Sequence, residues 1–469
     1  MMDINALAVE PSSKELLIAG GEVAGPDGIR RADIRILGEF IAEVAPGLRP
    51  GRNARVIDAS DRLILPGGID PHTHLTPPFV DDLTSGSAAA LVGGITTLGT
   101  FSYPASSGDE RESLVESLVR MEEMVHREAI ADIFLHPVLW PPSSASSGQL
   151  EAIRAAGQLS IKFFMLRRDF GATVSDLLGV MDAARDLGMV VLIHCEDDAL
   201  LRLAAARLQA EGKSSLRYYA ESRPVVSEVS ATQQAVAFCE ATGAPTYVVH
   251  LSSARALRAC RNPDTRGLPL FVETRPIYLH LTEERYANVD GPLYVGQPPL
   301  RGPDDLEALW DGLTDGSIDV LATDHAPWTR EQKLDPALDI ENLRPGVNNL
   351  QVMLPMYFSE GVRMGRITVE RFVETTSTNP ARIFGLFPRK GVIQEGAYAD
   401  VAVWDPSLKK TIRGSDMYSK AGFSIYEGWE VTGWPVLTIR RGEIVFEDEE
   451  LKGVPGSGKL LRRDPWKPM

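Results

Sequence analysis

Val190-Val191-Leu192-Ile193-His194-Cys195-Glu196 is a short apolar run that ends abruptly in groups able to bind a metal or move a proton. Four aliphatic residues bounded by polar ones suit a strand buried on both faces and are too few for a helix. The segment before it, Val174–Leu187, carries Leu177, Leu178, Met181 and Ala184 at three- and four-residue spacing and reads as an amphipathic helix. Helix followed by buried strand is the unit of parallel βαβ construction. Outward from this unit the pattern recurs. Eight apolar runs alternate with helical stretches: Leu63–Leu65, Ile95–Thr100, Ile133–Leu135, Ile161–Met165, Val190–Ile193, Thr246–Val249, Leu270–Val272 and Asp319–Ala322. Glu110–Glu128, with Leu114, Leu118, Met121 and Val125 on one face, predicts a further outer helix. Eight such units predict an α/β protein with a (β/α)8 TIM barrel over residues 66–385, whose active site would lie at the C-terminal strand ends. A doubly wound sheet is the competing topology.

The flanks read differently. Leu16–Ala19, Ala32–Ile36, Ile41–Val44 and Ala54–Ile57 are short strands between turns, and similar patterning returns in Ala399–Trp404, Val436–Arg440 and Glu443–Phe446. Residues 1–65 and 386–469 are therefore expected to build one composite β-sandwich domain, with a flexible C-terminal arm over about 450–469. Ser143–Gly148 reads as a Pro/Ser/Gly loop.

A chain of 469 residues with 44% hydrophobic and 24% charged residues has the balance of a globular protein and excludes disorder and low-complexity scaffolding. Lys plus Arg at 48 against Asp plus Glu at 64 leaves a net charge of −16, which argues against nucleic acid or an anionic membrane as partner. The expected partners are small molecules or protein. Cys195, Cys239 and Cys260 are too few and too scattered for a disulfide framework, and the opening residues Met1–Leu7 lack the basic flank and apolar core of a signal peptide. A cytoplasmic location is the expectation.

Polar, metal-competent residues stand where one apolar run after another ends. The first closes on Gly67-Gly68-Ile69-Asp70-Pro71-His72-Thr73-His74, and two histidines at i and i+2 of a strand project to the same side. Lys162 sits among Ile161, Phe163, Phe164 and Met165, where a bare ammonium is costly unless paired or chemically altered. His194, His250 and Asp324 follow at the ends of later runs. Each alone could be a satisfied core residue; together they place four imidazoles, an acid and an amine at one barrel mouth. Nitrogen and carboxylate donors without thiolate suit Zn²⁺, Mn²⁺, Co²⁺ or Ni²⁺. Cys195, next to His194 on a strand, points to the opposite face and belongs to the core.

With these residues assembled, the sequence resembles the amidohydrolase superfamily, and within it the cyclic amidohydrolases of the D-hydantoinase/dihydropyrimidinase type. The likeness is carried by Gly67–Leu75, Tyr247–Ser253, Thr376–Leu386 and Tyr426-Glu427-Gly428, with the later Gly453–Gly458 tail, and spans nearly the whole chain. It implies a Lys162 carboxylated by CO2 into a carbamate that bridges two divalent cations, zinc before the others. His72, His74 and Asp324 would complete one metal site, and His194 and His250 the other. A hydroxide shared between the metals would open a hydantoin- or dihydropyrimidine-like ring, with Asp324 as proton shuttle. Homo-oligomers, tetramer or dimer, are also implied.

The chain departs from the family at several points. Hydantoinases place a tyrosine, whose hydroxyl stabilises the oxyanion, where this sequence has Arg167; that arginine could donate to the oxyanion, bind a substrate carboxylate or face solvent, and Arg168 could share its role. Arg275 enters Glu273-Thr274-Arg275-Pro276-Ile277-Tyr278 where the family has cysteine, and with Arg167 hints at an anionic substrate; a structural ion pair is its other reading. Gln297 replaces the serine of the family's Ser-Pro-Pro-Leu-Arg segment, and Asn342 aligns with the asparagine that grips the ring amide. Thr76 stands where dihydroorotases carry an arginine. Allantoinase-like or other cyclic-imide hydrolysis is the alternative activity, and a non-catalytic assembly protein the alternative class; the six intact ligand positions weigh against the latter.

Overall fold

The computed structural model describes residues 15–107, 110–140 and 145–468. Residues 1–7 and 143–144 of the loop beginning at Ser143 lie outside the described residues. Strand alternation shows how the centre is built. In Ser160–Phe164, Ile161 and Phe163 join the large apolar cluster shared with the helices, so the intervening Lys162 points to the opposite side. In Val190–His194, Val191 and Ile193 face the helices while Val190 and Leu192 pack in a second cluster with Ile69, Phe101, Phe134, Tyr247 and Phe271. That second cluster is the packed interior of the barrel.

Gly68–Thr73, Ile95–Ser102 and Asp132–Pro137 form one parallel sheet. Ser160–Phe164, Val190–His194, Thr246–Val248, Leu270–Thr274 and Val320–Leu321 form another. Parallel bridges Val138↔Lys162 and Thr73↔His325 join the edges of the two, so the eight strands follow one another in chain order around a TIM barrel. The outer helix predicted from Glu110 begins at Leu114, because Ser113 and Glu116 make a reciprocal capping box there. The helix predicted over Val174–Leu187 starts earlier, at Phe170, and stops at Gly188, whose φ of 65° is left-handed. No helix among the described residues is long and apolar enough to cross a membrane.

The two flanks meet. Phe40–Ala45, Asp33–Leu37, Glu15–Ala19 and Arg55–Asp58 make a four-stranded sheet. A seven-stranded sheet unites Glu22–Gly25, Gly28–Arg31 and Leu63–Pro66 with Val401–Thr411, Glu430–Arg440, Glu443–Glu447 and Glu450–Leu451. Ile18, Ile34, Ile36, Ile64, Val401, Val403 and Ile439 fill the space between them. One expectation is corrected here. Leu63–Leu65 is not the first barrel strand but a sandwich strand paired with Val401–Trp404, and the barrel opens with Gly68–Thr73. A three-residue apolar run reads the same in either setting, while Gly, Asp, Pro and His disguise the true strand. A second correction concerns the arm. Leu461 donates to the Ile133 carbonyl, Trp466 to that of Gly188, and Arg463 lies over the Phe134 ring, so the arm is docked across the N-terminal strand ends.

Barrel and sandwich share a buried polar knot. Lys390 Nζ donates to Asp132 Oδ2 at 2.8 Å and pairs with Asp400, while Arg441 Nε reaches Asp132 at 3.1 Å. Burial would lower the Lys390 ammonium, but the two carboxylates raise it.

Candidate metal centre

Each ligand candidate arrives by the same local logic: a strand ends, and the inward position of its alternation falls on a polar residue. Lys162 and His194 occupy inward places, and His72, His74, His250 and Asp324 lie at or just beyond strand ends. All six line one cavity of about 170 Å³ at the C-terminal mouth of the barrel. Facing atoms of His72, His250 and Asp324 lie within 4.8 Å of one another. His72 Nε2 and His74 Nε2 stand 3.1 and 2.9 Å from the same oxygen, Asp324 Oδ1. His250 and Asp324 hold left-handed backbone, φ 40° and 47°. For residues with a Cβ this costs of order 1–3 kcal/mol, strain that gathers at functional sites.

Three of the four imidazoles are held from behind. His72 Nδ1 bonds Glu273 Oε1 at 2.7 Å, and that oxygen also accepts from the His250 amide at 2.8 Å. His74 Nδ1 lies 3.1 Å from Tyr103 Oη. His194 Nε2 meets Glu196 Oε2 at 2.8 Å, and Arg223 Nε anchors Glu196 at 2.9 Å. Such outer partners fix ring orientation and the nitrogen left free for a cation. Glu273, Tyr103, Glu196 and Arg223 had not been singled out from the sequence. The alternation Phe271-Val272-Glu273 is the available signal for Glu273, His194-Cys195-Glu196 for Glu196 and Phe101-Ser102-Tyr103 for Tyr103; Arg223 has none.

Among the described residues that line the cavity, two buried side-chain atoms have no hydrogen-bond partner: Lys162 Nζ and His250 Nδ1. Lys162 Nζ sits 5.2 and 5.0 Å from the ring centroids of Phe101 and Phe164, and burial pushes its amine down to about 8 despite Glu273 and Asp324. Burial lowers His74 to about 4 and holds His250 well below the imidazole range. Burial would raise the Asp324 carboxyl, but Arg275 and His72 hold it well below the usual carboxylate range. Burial also lowers His194, whereas at His72 burial is outweighed by Glu273 and Asp324, which raise the imidazole. The result is three imidazoles held toward the neutral form and one favouring its proton around an ionised carboxylate, with two orphaned nitrogens. That donor set fits divalent cations of the zinc type.

Residues 63–445 match the amidohydrolase family. The chain belongs to that family. It is 33% identical to the D-hydantoinase of Ralstonia pickettii over 97% of this chain and 100% of the relative. It is also 33% identical to an Escherichia coli D-phenylhydantoinase over 97% and 99% of the two chains. Among solved structures, the D-hydantoinase (dihydropyrimidinase) from Thermus sp. superposes with a TM-score of 0.90 at 33% identity, covering 96% of this chain and 99% of that one. Dihydropyrimidinase from Brevibacillus agri gives 0.89 at 30%, over 97% and 100%. Family membership carries divalent metal dependence, in accord with the donor set.

The remaining sequence candidates of this amidohydrolase separate. Gln297 lines the cavity. Arg275 is fully buried behind it, its Nη1 3.1 Å from Asp324 Oδ2 and its Nε bonded to the Thr323 carbonyl. Its guanidinium therefore serves Asp324 and the chain around it, which is the structural ion pair and not a substrate clamp. Arg167 lies over the Trp140 ring at 4.2 Å and makes a two-point pair with Asp169, outside the cavity lining. Asn342 is exposed and donates to the Ala337 carbonyl at 3.2 Å; Pro345 and Gly346 of the same loop reach the cavity in its place. A sequence position within a long loop does not fix which residue turns inward.

Proposed function

We propose that this hydrolase opens a hydantoin- or dihydropyrimidine-like ring with two divalent cations, for which zinc is the first choice. His72, His74 and Asp324 would hold one, His194 and His250 the other, with a CO2-derived carbamate on Lys162 shared between them. One observation carries the reading: four imidazoles, an ionised carboxylate and an amine without any partner line a single cavity. An amine at about 8 has a substantial neutral fraction near neutral pH, and the neutral form is the one that adds to CO2. Carboxylation would replace a partnerless buried cation by an anion that adds oxygen donors to the imidazoles and Asp324 that would hold the cations.

Bound divalent cations supply Lewis acidity and a water acidified into the neutral range. The chain's residues do the rest. Asp324, held ionised by Arg275, can take a proton on Oδ1 as water adds to the ring carbonyl and return it to the departing nitrogen. Gln297 can hold the ring against the cavity wall, and Phe79 and Phe164 limit water access. Arg275 engaged with Asp324 removes one of the two arginines that pointed to an anionic ring, so a neutral ring is favoured. The test is metal analysis joined to a turnover panel of hydantoin, dihydrouracil, allantoin and a carboxylate-bearing ring. Two equivalents of cation and opening of the first two are expected; metal-free protein without turnover would overturn the reading. Asp324→Asn should lower kcat by about 10²–10⁴-fold, and near-normal turnover with both cations retained would remove Asp324 from the proton path.

A further inference from the structure

Among the described residues lining the cavity there is one hydroxyl, that of Tyr103. Its oxygen lies 3.1 Å from His74 Nδ1, while the other nitrogen of that ring lies 2.9 Å from Asp324 Oδ1. An ionised carboxylate only accepts, so in the cation-free chain the ring proton sits on Nε2, Nδ1 is bare, and the Tyr103 hydroxyl donates to it. A cation taken by Nε2 reverses the arrangement. The neutral ring then keeps its proton on Nδ1, Nδ1 donates to Tyr103 Oη, and the phenolic hydrogen is released to another acceptor.

We propose that Tyr103 donates this released hydrogen bond to the carbonyl oxygen of the ring being opened, and that loading of His74 with its cation is what arms it. The inference rests on the binuclear-hydrolase reading. Tyr103 is built to hold a fixed position: Arg120 Nη2 donates to its carbonyl oxygen at 2.8 Å, Arg120 is itself paired with Glu112 at 2.9 Å, and the phenol stacks on the His74 ring at 6.1 Å between centroids. Arg167, committed to Trp140 and Asp169, leaves the cavity without its guanidinium. Negative charge grows on the carbonyl oxygen as water adds, so a preorganised neutral donor strengthens on the way to the transition state. The phenolic proton stays on Tyr103 throughout, and no bond to it is broken.

The experiment has two arms, both on the full chain with Zn²⁺ as the probe cation and hydantoin and dihydrouracil as rings. In Tyr103→Phe at saturating Zn²⁺, kcat should fall about 10²–10³-fold with KM little changed and bound zinc equal to wild type. In wild-type protein labelled with ¹⁵N-histidine, Zn²⁺ should move the His74 ring proton from Nε2 to Nδ1. Recovery of wild-type kcat by excess Zn²⁺ would make Tyr103 a support for His74 alone and overturn the proposal. So would a loss confined to KM, or a His74 Nδ1 that stays bare after zinc is bound. A wild-type chain that binds no zinc and opens neither ring would bring down the underlying reading; an active wild type with an unimpaired Tyr103→Phe would overturn only the role of Tyr103.

Discussion

Lys162 and Lys390 are both fully enclosed, yet their surroundings are opposites. Lys390 at the junction of barrel and sandwich is gripped by Asp132 and Asp400, with Arg441 sharing Asp132. Lys333, a third buried lysine, donates to the carbonyls of Val295, Arg344 and Gly346 at 2.7, 2.8 and 2.9 Å. Lys162 has no hydrogen-bond acceptor among the described residues. A buried ammonium in a finished network is architecture; one left bare beside equally bare imidazole nitrogen is a group awaiting a reaction partner.

The contrast can be broken most sharply at Lys162. Lys162→Ala should strip cations from the protein and lower kcat/KM by about 10³-fold or more while the melting temperature stays near that of the cation-free wild type, since no hydrogen bond is lost; an active, cation-loaded variant would erase the distinction. Lys390→Met should do the reverse. It leaves Asp132 and Asp400 facing one another in the interior and should cost about 3–5 kcal/mol in denaturant titration, with turnover per folded molecule unchanged. Arg441 alone sufficing for both acids would show as a near-wild-type midpoint.

A pH experiment sharpens the comparison inside the cavity. Burial raises the Glu196 carboxyl, but Arg223 and His194 outweigh it and bring it to about 2 from an ordinary 4.5. Because the folded value is the lower one, the stabilisation is present above 4.5 and drains away as pH falls toward 2. In cation-free protein, Glu196→Gln should flatten this acid limb by about 3 kcal/mol, read from denaturation midpoints across that window. The smallest effect is expected at Glu273. Glu273→Gln keeps the shape but weakens the hold on His72, and calorimetry should show cation affinity reduced about 10–100-fold; an unchanged isotherm would deny Glu273 any part in orienting the ring.

Much of this was legible in the sequence because two periodicities coincide with chemistry. Apolar runs ending in His194, His250 and Asp324 announced both the strands and the cavity they face, and the oddity of Lys162 among phenylalanines marked its inward position. What stayed hidden depended on geometry outside any regular period. Gly68–Thr73 was masked as a strand by its own functional residues. Arg275 could have met substrate or a neighbour, and only the folded chain turns it onto Asp324. Asn342 lies in a loop, where insertions shift residues freely, and Tyr103 continues the inward side of Phe101 one residue past the strand end, where no polar motif marks it.

The pairing of Leu63–Pro66 with Val401–Trp404 has a consequence for how the molecule comes to exist. A ribosome that has produced the first of these strands must translate more than three hundred further residues before its neighbour emerges, and the whole barrel is made in the interval. Until then Ile18, Ile34 and Ile64 lack the valines that cover them, and an early fragment ending near residue 66 would be a sticky half-layer. The nascent chain has to shelter its opening segment while the catalytic portion folds, and only then clasp it shut.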